Sequence, residues 1–146
     1  MKDLIQALQI LSKYANGDPN KFKIKDMSLD VSLVRPKWVS YDEGKTLTKE
    51  NECVYDANIT HNLGRMADKA GIYKALWRPE EINKEKAEDI IELLEVGLAD
   101  LKARPEHFEQ FNSPNGWGMY KHFVPFVEEY LNACKEYPKC LIEISR

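Results

Sequence analysis

Residues 54–79 read VYDANITHNLGRMADKAGIYKALWRP, and the fold turns on where an extended chain gives way to a helix within them. With Leu63 as reference and 100° per residue, Ile59, Met66, Ala67 and Ala70 all fall within about 60° of it. That spacing predicts a helix over 57–77, weakened near its end by Gly71. Residues 53–57 would lead into it as a short strand.

The start of this helix is crowded with hydrogen-bonding side chains: Asp56, Asn58, Thr60, His61 and Asn62. Two readings compete. Asn58 or Thr60 is a good N-cap, and Asp56 complements the helix dipole. Alternatively, free N–H groups at a helix start attract an anion or a carbonyl oxygen. Arg65 lies four residues after His61 with Asp68 next along, so one helical face could grip a phosphate or carboxylate, or simply form a surface row.

Working outward, SLDVSLV (28–34) alternates apolar and polar residues and predicts a half-buried strand. Pro36 would end it or mark an edge, and KWVSY (37–41) would be a second strand. Residues 42–53 have no clear period and read as a mobile loop or a weak hairpin arm. Upstream, leucines at helical spacing predict a helix over 3–15, not a signal peptide.

Downstream, Pro79 with Glu80 and Glu81 suits a helix start. Ala87, Ile91, Leu94, Leu98 and Leu101 predict a helix over 84–103 with an acidic outer face at Glu88, Glu92 and Glu95. PEHFEQF (105–111) would be a short helix. A last helix is expected over 119–135, kinked by Pro125 or starting near it. CLIEIS (140–145) alternates as a final strand. The expectation is therefore an α+β fold. It is a single domain over 1–146, with a small sheet of three to four strands and four to five helices on one face.

Two aromatic motifs join the polar turn as candidate sites. In NSPNGWG (112–118), Asn115-Gly116 signals a turn, and Trp117 between glycines is either an open stacking surface or a plug between helices. Tyr120 follows. Trp77-Arg78 before a proline is either an anion clamp with an aromatic wall or a core anchor.

A net charge of −3 gives no general affinity for nucleic acid, and no apolar run reaches the roughly 18–20 residues of a membrane span. Three cysteines, Cys53, Cys134 and Cys140, lack CxxC pairing and imply a reducing compartment with no disulfide framework. The histidines share no metal-ligand spacing, and neither a nucleophile elbow nor a phosphate-binding loop is present. No cofactor, metal or catalytic set is expected.

YDANITHNLGRMADKAGIYKALWRPEE (55–81), NGWGMY (115–120) and IEISR (142–146) resemble a family of small uncharacterised proteins of phages, prophages and related mobile elements. The resemblance runs from residue 54 to the end of the chain and does not take in the first fifty residues. It implies a cytoplasmic accessory protein with no established activity, and a counter-defence role would suit that context. The leading functional expectation is a non-catalytic binder of a small polar or phosphorylated, nucleotide-like ligand. The ligand would be held by the polar turn, Arg65, Trp77, Arg78, Asn115, Trp117 and Tyr120. The alternatives are a protein-interaction module, such as an inhibitor of a host defence protein docking through the acidic helix, and a hydrolase using His61 and Asp56. Self-association stays open.

Overall fold

The structure is a computed structural model and describes residues 28–146; the helix expected over 3–15 lies outside them. Strand β1 (Ser28–Val39) runs unbroken where the sequence suggests two strands. It pairs antiparallel with β2 (Thr48–Thr60) along its whole length, from Ser28 opposite Thr60 to Val39 opposite Thr48. The register shifts between Leu33 and Val34, leaving Val54 unopposed. The last strand, β3 (Leu141–Ser145), pairs with Asp30–Val34 only, so the sheet order is β2-β1-β3. Beyond Val34 no strand among the described residues pairs with β1 on the β3 side. A proline needs no ladder partner on an open edge, which is why Pro36 is carried inside the strand.

Residues 48–53 are thus a hairpin arm, which selects between the two expectations for 42–53. The helix expected over 57–77 is corrected. Residues 55–60 stay in β2, a 3₁₀ turn covers His61–Leu63, and helices α1 (Gly64–Lys69) and α2 (Tyr73–Trp77) follow. Gly71, at φ 76°, makes the break between them. Ile59 fits both periods: it lies one helical turn from Leu63, and it also alternates with Tyr55 and Ala57. Pairing with the apolar positions of β1 decides for the strand.

Pro79 opens a 3₁₀ turn (Pro79–Ile82) and not a long helix. Helix α3 (Ala87–Ala103) begins three residues later than expected, at the first residue of its apolar pattern, and Asp89 marks its start by accepting from the N–H groups of Glu85 (3.1 Å) and Lys86 (3.0 Å). A short α4 (Pro105–Glu109) and a long α5 (Tyr120–Glu136) complete the helices. Pro125 sits inside α5, neither starting nor ending it. A helix-interior proline costs about 3 kcal/mol, and the buried stripe Phe123, Phe126, Val127, Tyr130, Leu131 and Cys134 outweighs it.

Leu29, Val31, Leu33 and Ile59 point inward from the sheet and join Leu63, Met66, Leu76, Ile90, Leu94 and Phe123 in one core. Tyr55 of β2 stacks on Tyr130 of α5, 5.9 Å between ring centres. The opposite sheet face carries Asp30, Ser32, Asp56, Asn58, Glu143 and Ser145, all at least partly exposed. The five α-helices therefore lie against one side of a three-stranded sheet.

Candidate functional site

Strand alternation puts Asp56, Asn58 and Thr60 on the open face of β2, not in a helix turn. Asn58 spends its amide on two neighbours, donating to Ser28 Oγ (2.8 Å) and Asp30 Oδ1 (2.7 Å). Thr60 is the cap of the 3₁₀ turn: its hydroxyl accepts from the Asn62 N–H at 3.2 Å. Asp56 stands opposite Ser32 in the register, about 13 Å along the strand from Thr60 at a rise of 3.3 Å per residue.

His61 and Arg65 do not share a face. His61 turns toward α2, where Trp77 Nε1 donates to its Nδ1 at 2.8 Å. A nitrogen that accepts carries no proton, so the ring proton is on Nε2. Burial pushes the His61 pKa down, and the nearby Asp30 carboxylate partly opposes this. The lone pair a general base would use is occupied, and the neighbouring acid is Asp30. The structure does not bring His61 and Asp56 together.

Trp77 is 2 % exposed and is a core anchor. Its ring stacks on Tyr73 at 5.3 Å, and its carbonyl accepts from Arg146 Nη1 at 2.8 Å. Arg78 is committed to Glu81 (3.1 Å) and to the Tyr73 hydroxyl (3.5 Å), so it is not a free clamp.

The turn and the tryptophan loop do meet. Asn62 Nδ2 donates to the Trp117 carbonyl at 2.8 Å. Gly118 permits the approach: its φ is +110°, and a Cβ there would lie 2.9 Å from the Asn62 Cβ. The loop is built from within. Asn115 Oδ1 accepts from Ser113 Oγ (2.6 Å) and from the Trp117 N–H (2.9 Å), and Asn112 Oδ1 accepts from the Tyr120 N–H (2.6 Å). The Tyr120 hydroxyl donates to the Leu101 carbonyl at 2.7 Å. Asn115 and Tyr120 are therefore framework, while Trp117 is presented outward, 41 % exposed. Three residues on from Asn62, the Arg65 guanidinium lies over the Phe111 ring at 5.1 Å, with no acidic partner among the described residues.

The acidic face of α3 is largely paired: Glu88 with Lys139 (2.9 Å) and Glu95 with Lys135 (3.3 Å). Cys134 and Cys140 are buried, and burial raises the Cys134 thiol to about 12. Cys53 is exposed.

Sequence reasoning passed over the far end of the β1–β2 arm. There Trp38 is 63 %, Tyr41 77 % and Leu47 62 % exposed. The tip is ordered by Ser40 and Asp42, which accept from the N–H groups of Gly44 (2.7 Å) and Thr46 (2.8 Å). Arg35 and Lys37 lie opposite Glu52 and Glu50, while Pro36 and Trp38 alternate to the other face. The signal was present as KWVSY followed by a polar turn, which marks a hairpin with exposed aromatics once β2 is recognised.

No helix among the described residues is long and apolar enough to cross a membrane. Compared with protein-family models, with curated proteins and with solved structures, the chain finds no match in any of the three.

Proposed function

We propose that the chain is a non-catalytic protein-interaction module that grips its partner with the β1–β2 arm. The supporting observation is the ordered hairpin tip with three large apolar side chains in solvent: Trp38, Tyr41 and Leu47. Exposed aromatic clusters mark contact surfaces on proteins that are otherwise well buried. The arm has four basic and four acidic residues over 35–52. That balance disfavours nucleic acid and favours a partner with an apolar cleft. The resemblance to phage and prophage proteins suits a host protein as that partner. The test is a triple variant, Trp38→Ala, Tyr41→Ala and Leu47→Ser, compared with the parent chain in pull-downs from a bacterial lysate and by sedimentation. The parent should retain a partner that the variant loses while keeping its melting temperature. Equal retention by both proteins removes the arm from the account.

A second reading rests on the Asn62–Trp117 bond: Asn62 holds the backbone of the loop that carries an exposed indole, and Arg65 follows Asn62 by three residues. A planar ring on Trp117 with an anionic group on Arg65 describes a nucleotide-like ligand. At 100 times its Kd such a ligand adds about 2.7 kcal/mol of stability. Thermal unfolding with a nucleotide panel would show this, and Arg65→Ala should abolish the shift.

A further inference from the structure

Strand β3 is an edge strand, and its outer edge is only begun. The segment before α3 runs antiparallel to it and makes one bridge, Lys86 to Leu141. Two backbone bonds flank this bridge: Ala87 N–H to the Cys140 carbonyl and Ile142 N–H to the Glu85 carbonyl, both 2.9 Å. The ladder then stops. Glu85 turns its own N–H to the Asp89 carboxylate, and the chain before it leaves through Asn83, at φ 57°. Since Ile142 faces outward, strand alternation sends the N–H and C=O of Ile144 outward too. Neither has a backbone partner among the described residues. Beside them lies a groove of about 560 Å3, lined by Pro79, Glu80, Lys84, Glu143, Ile144 and Arg146, with Leu141, Ile142 and Glu85 at its other end.

We propose that this edge is a docking site for an extended strand of a partner polypeptide, which continues the ladder where Glu85 leaves it. The incoming residue opposite Ile144 exchanges two backbone bonds with it and points its side chain to the apolar side, near Pro79. The next residue, opposite Glu143, points to the open face. Arg146 is held by Glu80 at 2.5 Å. Glu85 and Glu143 line the groove with no ion pair among the described residues, against Lys84 as the one lining base that Glu80 does not hold, so a basic residue is favoured there. The recognised segment is therefore short, extended and apolar-then-basic. This surface lies at the opposite sheet edge from β2 and does not depend on the arm.

The probe is the peptide acetyl-Thr-Val-Thr-Val-Lys-amide, with a copy N-methylated at its second valine as control. Amide exchange of Ile144 is followed by NMR. We expect millimolar peptide to slow it by about tenfold or more, the N-methylated copy to have no effect, and Glu143→Lys to weaken binding by about tenfold. Three outcomes overturn the proposal. In the first, the Ile144 amide is already as protected as that of Val31 in the free protein. In the second, the N-methylated copy binds equally well. In the third, protection appears with protein concentration alone, which assigns the edge to a second copy of the chain.

Discussion

Trp77 donates its indole proton to Nδ1 of His61, and that bond decides which protons the imidazole can hold. In an unfolded chain the ring takes up a proton near pH 6.5. In the fold it resists to lower pH because burial disfavours the charge, Asp30 offsetting this only in part. Between the two values the unfolded chain binds the extra proton, so acid favours unfolding. The stability that neutral His61 contributes is whole above about pH 6.5 and is lost as pH falls through the folded value. The melting temperature should therefore fall as the pH drops below about 6.5, and His61→Gln should flatten that limb. An unchanged slope in the variant would assign it to another group. Tyr130 makes the opposite case. Its hydroxyl is buried with no hydrogen-bond partner among the described residues, and burial holds its pKa well above the usual phenol value. An unmet buried hydroxyl costs about 1–3 kcal/mol. Tyr130→Phe, which keeps the stack on Tyr55, should leave chemical-denaturation stability equal or higher, whereas Tyr130→Ala should lose about 3–5 kcal/mol.

Among the elements, α3 passes the turn between α1 and α2 at Gly97, where a Cβ would run into the Ile72 side chain and sit 3.2 Å from the Ala70 carbonyl. Helix propensity alone predicts that Gly97→Ala stabilises by about 1 kcal/mol. The contact predicts a net loss of about 1–3 kcal/mol from overpacking, and urea unfolding gives the sign. Nothing in the local sequence distinguishes this glycine from a tolerated one, because the crowding comes from a residue twenty-five positions away. The same limit explains what the sequence could and could not disclose elsewhere. β3, α3, α5 and the first half of β1 were legible because each has one clean period, whereas Pro36 hid the continuation of β1. Residues 57–60 were misread because Ile59 satisfies both periods and Thr60 caps a turn in either case. Of the candidate site, the link between the turn and the tryptophan loop was foreshadowed by Gly118 and Asn62. The His61–Trp77 bond was not, since a helix over 57–77 would place His61 away from the apolar stripe.

Across the whole molecule the sheet is two structures joined end to end. From Asp30 to Val34, β1 is flanked by β2 and β3 and backed by the helices, and Leu29, Val31 and Leu33 are fully buried. From Arg35 to Val39 only β2 accompanies it among the described residues, and Arg35, Pro36, Lys37 and Trp38 are exposed. A two-stranded ribbon is marginally stable in water. The arm keeps its shape through cross-strand pairs such as Arg35–Glu52 at 3.0 Å, which contribute little in solvent, and through its ordered tip. The stability of the two halves should therefore differ. Amide exchange of residues 36–39 and 49–52 should proceed by local opening, about a hundredfold or more faster than that of Leu29, Val31 and Ile59, which open only with the core. Cys53, exposed at the junction, offers a second probe: its labelling rate by a thiol reagent should be independent of denaturant well below the unfolding transition, whereas Cys134 should react only through it. Equal protection in the two halves would mean that the arm folds as one unit with the core, and its freedom to close around a partner would have to be abandoned.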